Sequence, residues 1–493
     1  MSYSFTRFFF LLFSFLGFLS LRSKSEIPSP FLFQSSDNEL QSAVQWAKEK
    51  ALSYAHDDSD PVGFWYEAAL PNREAFCMRD VSHQSVGAEI LGLSKHNRNM
   101  LLKFAQNISE SKDYASYWEI NRYNQPAPVD YESDRDFWYN LPANFDLIFT
   151  MNRLFEWTQD STYIEHPSFQ KFCSLSLNEY VDRWALSHDV ITTRDRSLFV
   201  QDPKAFPKNR FGKNRGIPTY NEGGRGESLL GIDMTASYIA GLKSYIEILN
   251  HLGRDQETEV YAAKLTDELH FLNTFWWDAS KKVYRSIYYQ DQSFDYFMVG
   301  KDQAYLHYLL YFDVLSKPSQ INTILNEYRA RQQSLIIELK SYLPILFYEK
   351  NEPATATKII LELCDEANTR RDYPENSFTV IEHVTRGLMG INPSQEAIAT
   401  QSRLEASQWA KVEGVSIFGT QIDVEHHSRY KTVFSNKGNQ KVLWKAMFEG
   451  EYDRVWVDNK ILQTQIEKQN GSPVSFVFIP VNEYQEVTVA VED

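Results

Sequence analysis

The sequence predicts a mainly α fold, an (α/α)6 toroid followed by a small C-terminal antiparallel β-sandwich. Three observations predict it. From about Asn38 to about Ile391, apolar residues recur at helical spacing. Between these stretches, short turns alternate with long loops carrying glycine, proline and aromatic residues, the pattern of helices paired as hairpins and closed into a ring. After "INPSQEA" the texture changes to short β-branched and aromatic runs separated by turn residues. At 493 residues the chain exceeds one compact core, which fits a toroid with a second module.

The chain opens "MSYSFTRFFFLLFSFLGFLSLRSKSEIP", with Arg7 before an apolar run from Phe8 to Leu21 and small residues Ser23 and Ser25 after it. The run is short for a bilayer span, so residues 1–25 read as a signal peptide, with an uncleaved anchor as the alternative. A secreted or periplasmic protein is therefore expected, with no stable membrane span once the signal is removed. The toroid is expected over 26–400 and the sandwich over 405–493.

Helices are expected at Glu39–Tyr54, Ser82–Gln106, Asn140–Thr158 and Ser168–Trp184. In "GIDMTASYIAGLKSYIEILNHLG" the apolar positions Ile232, Ala236, Ile239, Leu242, Ile246 and Leu249 share one face, and Gly253 stops the helix. Leu265, Leu269, Leu272 and Trp276 mark the next, followed by Asp302–Leu315, Ile321–Arg331, Ala354–Glu366 and Phe378–Gly390. No fixed repeat period appears, which argues against a solenoid. Strands are expected in "TQIDVEHH", "YKTVFS", "KVLWKAMF", "DRVWVD", "ILQTQI", "VSFVFIPV" and "EVTVAVED". Turns at Asn436–Asn439, Asp458–Asn459 and Asn470–Gly471 separate them.

A hydrophobic content of 43% supports globular folding. The net charge of −15 repels a phosphate backbone, so nucleic acid is not an expected partner. The 11 tryptophans and 28 tyrosines pack between helices, and their flat faces also suit sugar rings. Cys77, Cys173 and Cys364 match no zinc spacing or disulfide framework and read as core thiols. His426 and His427 are adjacent on a strand and point to opposite faces, so one metal cannot easily take both. No phosphate loop, nucleotide fingerprint or serine elbow is present, and no cofactor or metal is expected. No sequence feature specifies an oligomeric state.

Four loops gather polar and aromatic residues. "WYEAALPNREAFCMRDVSHQSVG" carries Arg73, Glu74, Arg79, Asp80, His83 and Gln84, and "SYWEINRYNQPAPVDYESDRDFWYNLP" carries Trp118 and Trp138. "RFGKNRGIPTYNEGGRGESLLGID", with five glycines from Gly212 to Gly226, holds Tyr220, Glu222, Arg225 and Glu227, and "TRRDYPENSFTVIEH" holds Asp372, Glu375 and Glu382. Hydrolysis of a glycosidic bond needs one carboxyl to protonate the leaving oxygen and another to activate water. In an inverting enzyme the two stand about 6.5–9.5 Å apart. Glu222 or Glu227 on one loop and Glu375 or Glu382 on another are the candidates. All but Glu375, which follows Pro374 with no evident structural job, have a structural alternative: a loop ion pair with Arg225, a first-turn position for Glu227, and an i,i+4 pair with Arg386 for Glu382. Asp80 could cap the helix it opens.

Residues Gly231–Tyr289 resemble the mid-barrel segment of six-hairpin glycosidases, especially trehalase, glucosidase-I-like and glycogen-debranching types. The resemblance rests on Asp233, Thr235 and Ala236 at a helix start, on Leu252–Asp255, and on Trp276–Asp278. "SFTVIEHVTRGLMGINP" is similar to the closing barrel helix of α-L-rhamnosidase-like members. The Glu-Ser-Gly-Trp-Asp and Glu-Lys-Tyr strings of these families are absent. The resemblance implies an exported glycoside hydrolase acting on oligo- or polysaccharide, probing chain ends with inversion. It points to Glu222 or Glu227 as acid, Glu375 as base and Glu382 in reserve. It places "MRDVSH", with Arg79, Asp80 and His83, where sugar is held, and Trp118, Trp138, Tyr220 and Arg225 around it. Two alternatives stand beside this: a lyase for uronate-containing glycans using Tyr220, Tyr131, His83 or Asn144, and a non-catalytic carbohydrate-binding protein.

Overall fold

The computed structural model describes residues 29–193, 216–221, 228–297, 305–394 and 397–491. The expected signal peptide lies wholly outside these residues, as do Glu222, Arg225 and Glu227. No described helix is long and apolar enough to cross a membrane.

Paired helices run in order along the chain: α1 (Asn38–Ser53), α2 (Met78–Ile90), α3 (Ser94–Gln106), α4 (Ala143–Thr158), α5 (Pro167–Leu177) and α6 (Ile232–His251). They continue with α7 (Asp255–Phe271), α8 (His307–Tyr311), α9 (Pro318–Arg331), α10 (Leu343–Glu349), α11 (Pro353–Cys364) and α12 (Pro374–Glu382), which extends as a π-turn over His383–Leu388. The even-numbered helices touch one another in the order α2, α4, α6, α8, α10, α12, and α12 returns to α2. They form the inner wall of an (α/α)6 toroid, with the odd-numbered helices outside.

Burial follows from this arrangement. Outer helix α1 buries only Leu40, Ala43, Val44, Ala47 and Ala51, one stripe at three- and four-residue spacing. The Asp37 side chain caps it, accepting from the amides of Glu39 and Leu40. Inner helices α2 and α12 are buried at every position, polar ones included. Two expected helices divide: Ser82–Gln106 breaks at Gly92, which takes φ +87° between α2 and α3, and Ser168–Trp184 breaks at Asn178, between α5 and a short helix over Glu179–Trp184. The inner helix α10, carrying Pro344, is an addition to the expected set.

The sandwich pairs a seven-stranded sheet with a five-stranded one. The seven-stranded sheet takes its edge strand, Leu32–Ser35, from before α1, antiparallel to Trp409–Ile417. The five-stranded sheet begins at Asn392–Ser394 and Ala397–Gln401. The β module thus starts earlier than the expected boundary at 400–405 and borrows a strand from the expected toroid span. One pair, Ala397–Gln401 with Val442–Glu449, is parallel, because the chain enters that sheet straight from the ring; the other pairs of the sandwich are antiparallel. The Trp157 indole donates to the Ser416 carbonyl (2.7 Å), and His426 Nε2 meets the Met389 carbonyl (2.9 Å), fastening sandwich to ring. His426 is buried while His427 faces outward beside Glu425. The three cysteines are buried and free.

Candidate active site

The segments leading into α2, α6, α8, α10 and α12 converge on a cavity of about 320 Å³ at one end of the ring. Its wall includes Arg79 and Asp80, the second and third residues of α2, a position where the helix N-terminus favours a carboxylate. Asp80 accepts from the Tyr373 hydroxyl at 2.6 Å and from Arg79 Nη2 at 3.2 Å. Behind them stands Glu375, fully buried in the first turn of α12. It is hydrogen-bonded to His83 Nδ1 and lies 3.6 Å from Arg79 Nη2. Burial pushes the Glu375 carboxyl up to about 7, although Arg79 opposes the rise. His83 stacks on Tyr342 at 3.4 Å between ring centroids, and burial holds its pKa well below the usual histidine value.

The opposite wall is built by β pairing. The strand Glu119–Asn121 pairs with Ala75–Cys77, setting Glu119 against Cys77 at the entrance to α2. Asp130 follows a turn closed from Asp130 N–H to the Ala127 carbonyl (3.0 Å). Arg73 Nη2 reaches both carboxyls, at 2.9 Å to Glu119 and 3.3 Å to Asp130. The Glu119 carboxyl is raised well above its ordinary value, first by burial and then by its hydrogen bond to Asp130. Trp118, beside Glu119, lines the same wall.

The remaining edge comes from residues 216–221. Asp233, in the first turn of α6, accepts from the Tyr220 amide (2.5 Å) and from Thr219 Oγ1 (2.9 Å). A side chain at Gly231 would bring its Cβ to 2.5 Å from Thr219, so only glycine lets this segment lie so close to the helix start. The Tyr220 hydroxyl donates to Asp146 Oδ2 of α4 at 2.7 Å. The Trp138 indole donates to Asn140 Oδ1 (2.8 Å), and Asn140 donates to the Thr219 carbonyl (2.9 Å). Trp138 thus supports this segment from the interior instead of lining the cavity.

Of the residues expected from sequence, the cavity brings together Arg79, Asp80, Trp118 and Tyr220, with His83 and Glu375 beneath. Glu382 is not at this mouth. It lies two helical turns further along, where Arg153 bonds it and Arg386 holds it at 2.6 Å, the i,i+4 pair its spacing suggests. Burial works against its charge, but Arg153 and Arg386 outweigh it and hold the carboxyl down to about 2. Replacing Glu382 by Gln is expected to cost about 2 kcal/mol of stability, read from denaturant midpoints, with turnover per folded molecule retained. A larger cavity of about 500 Å³, at the far end of the ring, includes Arg153, Arg386 and Arg403. The first two are engaged by Glu382 and Arg403 by the Gly387 carbonyl (2.5 Å), so the smaller cavity is the candidate site.

The lyase candidates are held by internal bonds. Besides Tyr220 and His83, the Tyr131 hydroxyl donates to Asp134 (2.6 Å), and Asn144 bonds Tyr139 and Ser176. Sequence reasoning did not single out Glu119, Asp130, Tyr305, Glu338 or Tyr373, all on the cavity wall. Among the described residues no group of histidine, cysteine or acidic side chains could hold a metal ion.

No protein-family model matches the chain, and comparison with curated proteins found no relative. Solved structures do share its fold. An α-L-rhamnosidase from Dictyoglumus thermophilum superposes with a TM-score of 0.61 at 12% identity, over 94% of this chain and 50% of that one. An α-L-rhamnosidase from Aspergillus terreus gives 0.51 at 10%, over 92% and 50%. A human-microbiome protein described as a kojibiose phosphorylase gives 0.53 at 10%, over 92% and 60%. The chain therefore spans about half the length of the rhamnosidases it matches. These likenesses show the fold, an (α/α)6 toroid with a β domain.

Proposed function

We propose that this chain is an exported glycoside hydrolase that cleaves the terminal residue of an oligo- or polysaccharide with inversion. One observation carries the reading: a polar cavity at the ring mouth in which Asp80 faces the ligand space and Glu375 stands behind Arg79 with its carboxyl raised to about 7. A general base works best with a pKa near the working pH. The cavity is at the small end of the range of ligand pockets, about 300–1,000 Å³, which suits one terminal sugar. Solved chains of the same fold described as rhamnosidases support a glycosidase over an unrelated activity.

In this reading Glu375 activates the water, and Arg79 and Asp80 hold the sugar against Trp118. The proton donor is Glu222 or Glu227; the first directly follows Asn221, which lines the cavity. Export rests on the apolar run from Phe8 to Leu21.

The test is to screen the purified protein against aryl glycosides and oligosaccharides without phosphate, following product anomers by NMR. Phosphate-independent release of the inverted monosaccharide is expected. Product absorbance from a new double bond, strict dependence on phosphate, or no turnover of any glycoside would overturn the proposal. The rate should rise with pH through about 7, because the base works only once Glu375 has lost its proton. A flat profile between pH 5 and pH 8 would remove Glu375 from that role.

A further inference from the structure

Resting on the hydrolase reading, the geometry points to Arg73, Glu119 and Asp130 as a clamp for two neighbouring hydroxyls, making the substrate an uncharged sugar with a free vicinal diol. Glu119 and Asp130 come from separate segments, are each 2% exposed, and line the same cavity as Trp118. Arg73 Nη2 bridges them at 2.9 and 3.3 Å, and the carboxyls hydrogen-bond to one another. Two carboxyls can bond directly only if they hold a proton between them. The pair therefore offers one O–H donor and several acceptor lone pairs side by side, which is what adjacent hydroxyls require. Glu119 keeps its proton through neutral pH, because burial and the adjoining Asp130 both resist its ionisation.

Charge selects against an acidic sugar. Of the two arginines on the wall, Arg73 is matched by this pair, and Arg79 lies 3.2 Å from Asp80 and 3.6 Å from Glu375. Glu338 is held by Arg370 at 2.5 Å. A uronate carboxylate would enter beside Asp80 and Asp130 with no wall cation uncommitted among the described residues, and burying such a charge is costly. A ligand oxygen is nevertheless called for. Arg79 Nε is buried and has no acceptor among the described residues, which a bound hydroxyl would supply.

The experiment measures kcat and KM separately for wild type, Glu119→Gln and Asp130→Asn, using the best aryl glycoside from the screen and its deoxy analogues. Calorimetric titration with the free monosaccharide runs in parallel. Each variant is expected to raise KM and the monosaccharide Kd about tenfold with kcat within about threefold, and to lose that penalty on the analogue lacking the clamped hydroxyl. KM and Kd within twofold of wild type would overturn the clamp. So would a hundredfold fall in kcat at unchanged KM, which would make Glu119 a proton donor, and so would tight binding of the free uronate. Arg73→Lys, which keeps the charge but loses the fork, supplies a second reading if the carboxamide variants fail to fold; unchanged KM and Kd there would likewise overturn it. If wild type binds the monosaccharide yet cleaves no glycoside, the hydrolase reading fails while the titrations still decide the clamp.

Discussion

A Glu375→Gln variant is expected to turn over its glycoside about a thousandfold more slowly than wild type, with KM little changed. The amide has nearly the size of the carboxyl, so the enclosed position beside His83 and Arg79 stays filled. What is lost is the ability to take a proton from water. The substitution also predicts a pH signature in stability. The folded carboxyl titrates at about 7 against an ordinary 4.5, so the native state holds a proton that the unfolded chain releases earlier. This contribution is fully present below about pH 4.5 and is lost as pH rises through about 7. Gln cannot titrate, so the variant should gain stability relative to wild type between pH 5 and pH 8. Normal turnover by the variant would reject the base assignment, and parallel stability curves would reject the raised proton affinity.

Gly87→Ala should be the most disruptive single-methyl change in the ring. A Cβ at Gly87 would stand 2.0 Å from the carbonyl oxygen of Phe378, where α2 crosses α12. Backbone cannot swing aside as a side chain does, so the two inner helices must separate. Because α12 carries Glu375 and α2 carries Arg79 and Asp80, that separation also opens the site. Overpacking at this crossing is expected to cost about 3 kcal/mol or more, read as a lowered denaturant midpoint together with reduced turnover. Gly92→Ala is the comparison. Nothing lies within 4 Å of its Cβ, and only its φ of +87° resists alanine, so about 1 kcal/mol is expected. Equal losses at the two positions would show that helix contact is not what Gly87 protects.

Much of the ring was legible because outer helices carry a single apolar stripe, as Leu40, Val44 and Ala47 do on α1. The inner helix α10 escaped because "LPILFYE" is apolar on all sides and only seven residues long, a pattern that periodicity cannot tell from a buried strand. The strand Trp409–Ile417 was hidden by Gly414 at φ +71°, where its register with Thr420–His427 shifts.

The site divided in the same way. Arg79, Asp80 and Glu375 stood out because they sit in polar stretches just ahead of the expected helices Ser82–Gln106 and Phe378–Gly390, stretches that the structure folds into the first turns of α2 and α12. Glu119 and Asp130 sat in a stretch already marked as polar and aromatic, but alongside Glu132, Asp134 and Asp136. Only the pairing of Glu119–Asn121 with Ala75–Cys77 decides which of these acids turns inward, and that pairing is tertiary. Trp138 shows the converse: an aromatic residue in the right loop whose indole is spent on Asn140.

The strand Leu32–Ser35 is made first among the described elements, yet its hydrogen-bonding partner is Trp409–Ile417, nearly at the other end of the polypeptide. A ribosome must therefore produce the whole ring before this segment has anywhere to dock. Until then its amides and carbonyls are an open edge, available to any neighbouring nascent chain. The docking of this strand is thus timed by the emergence of the β module.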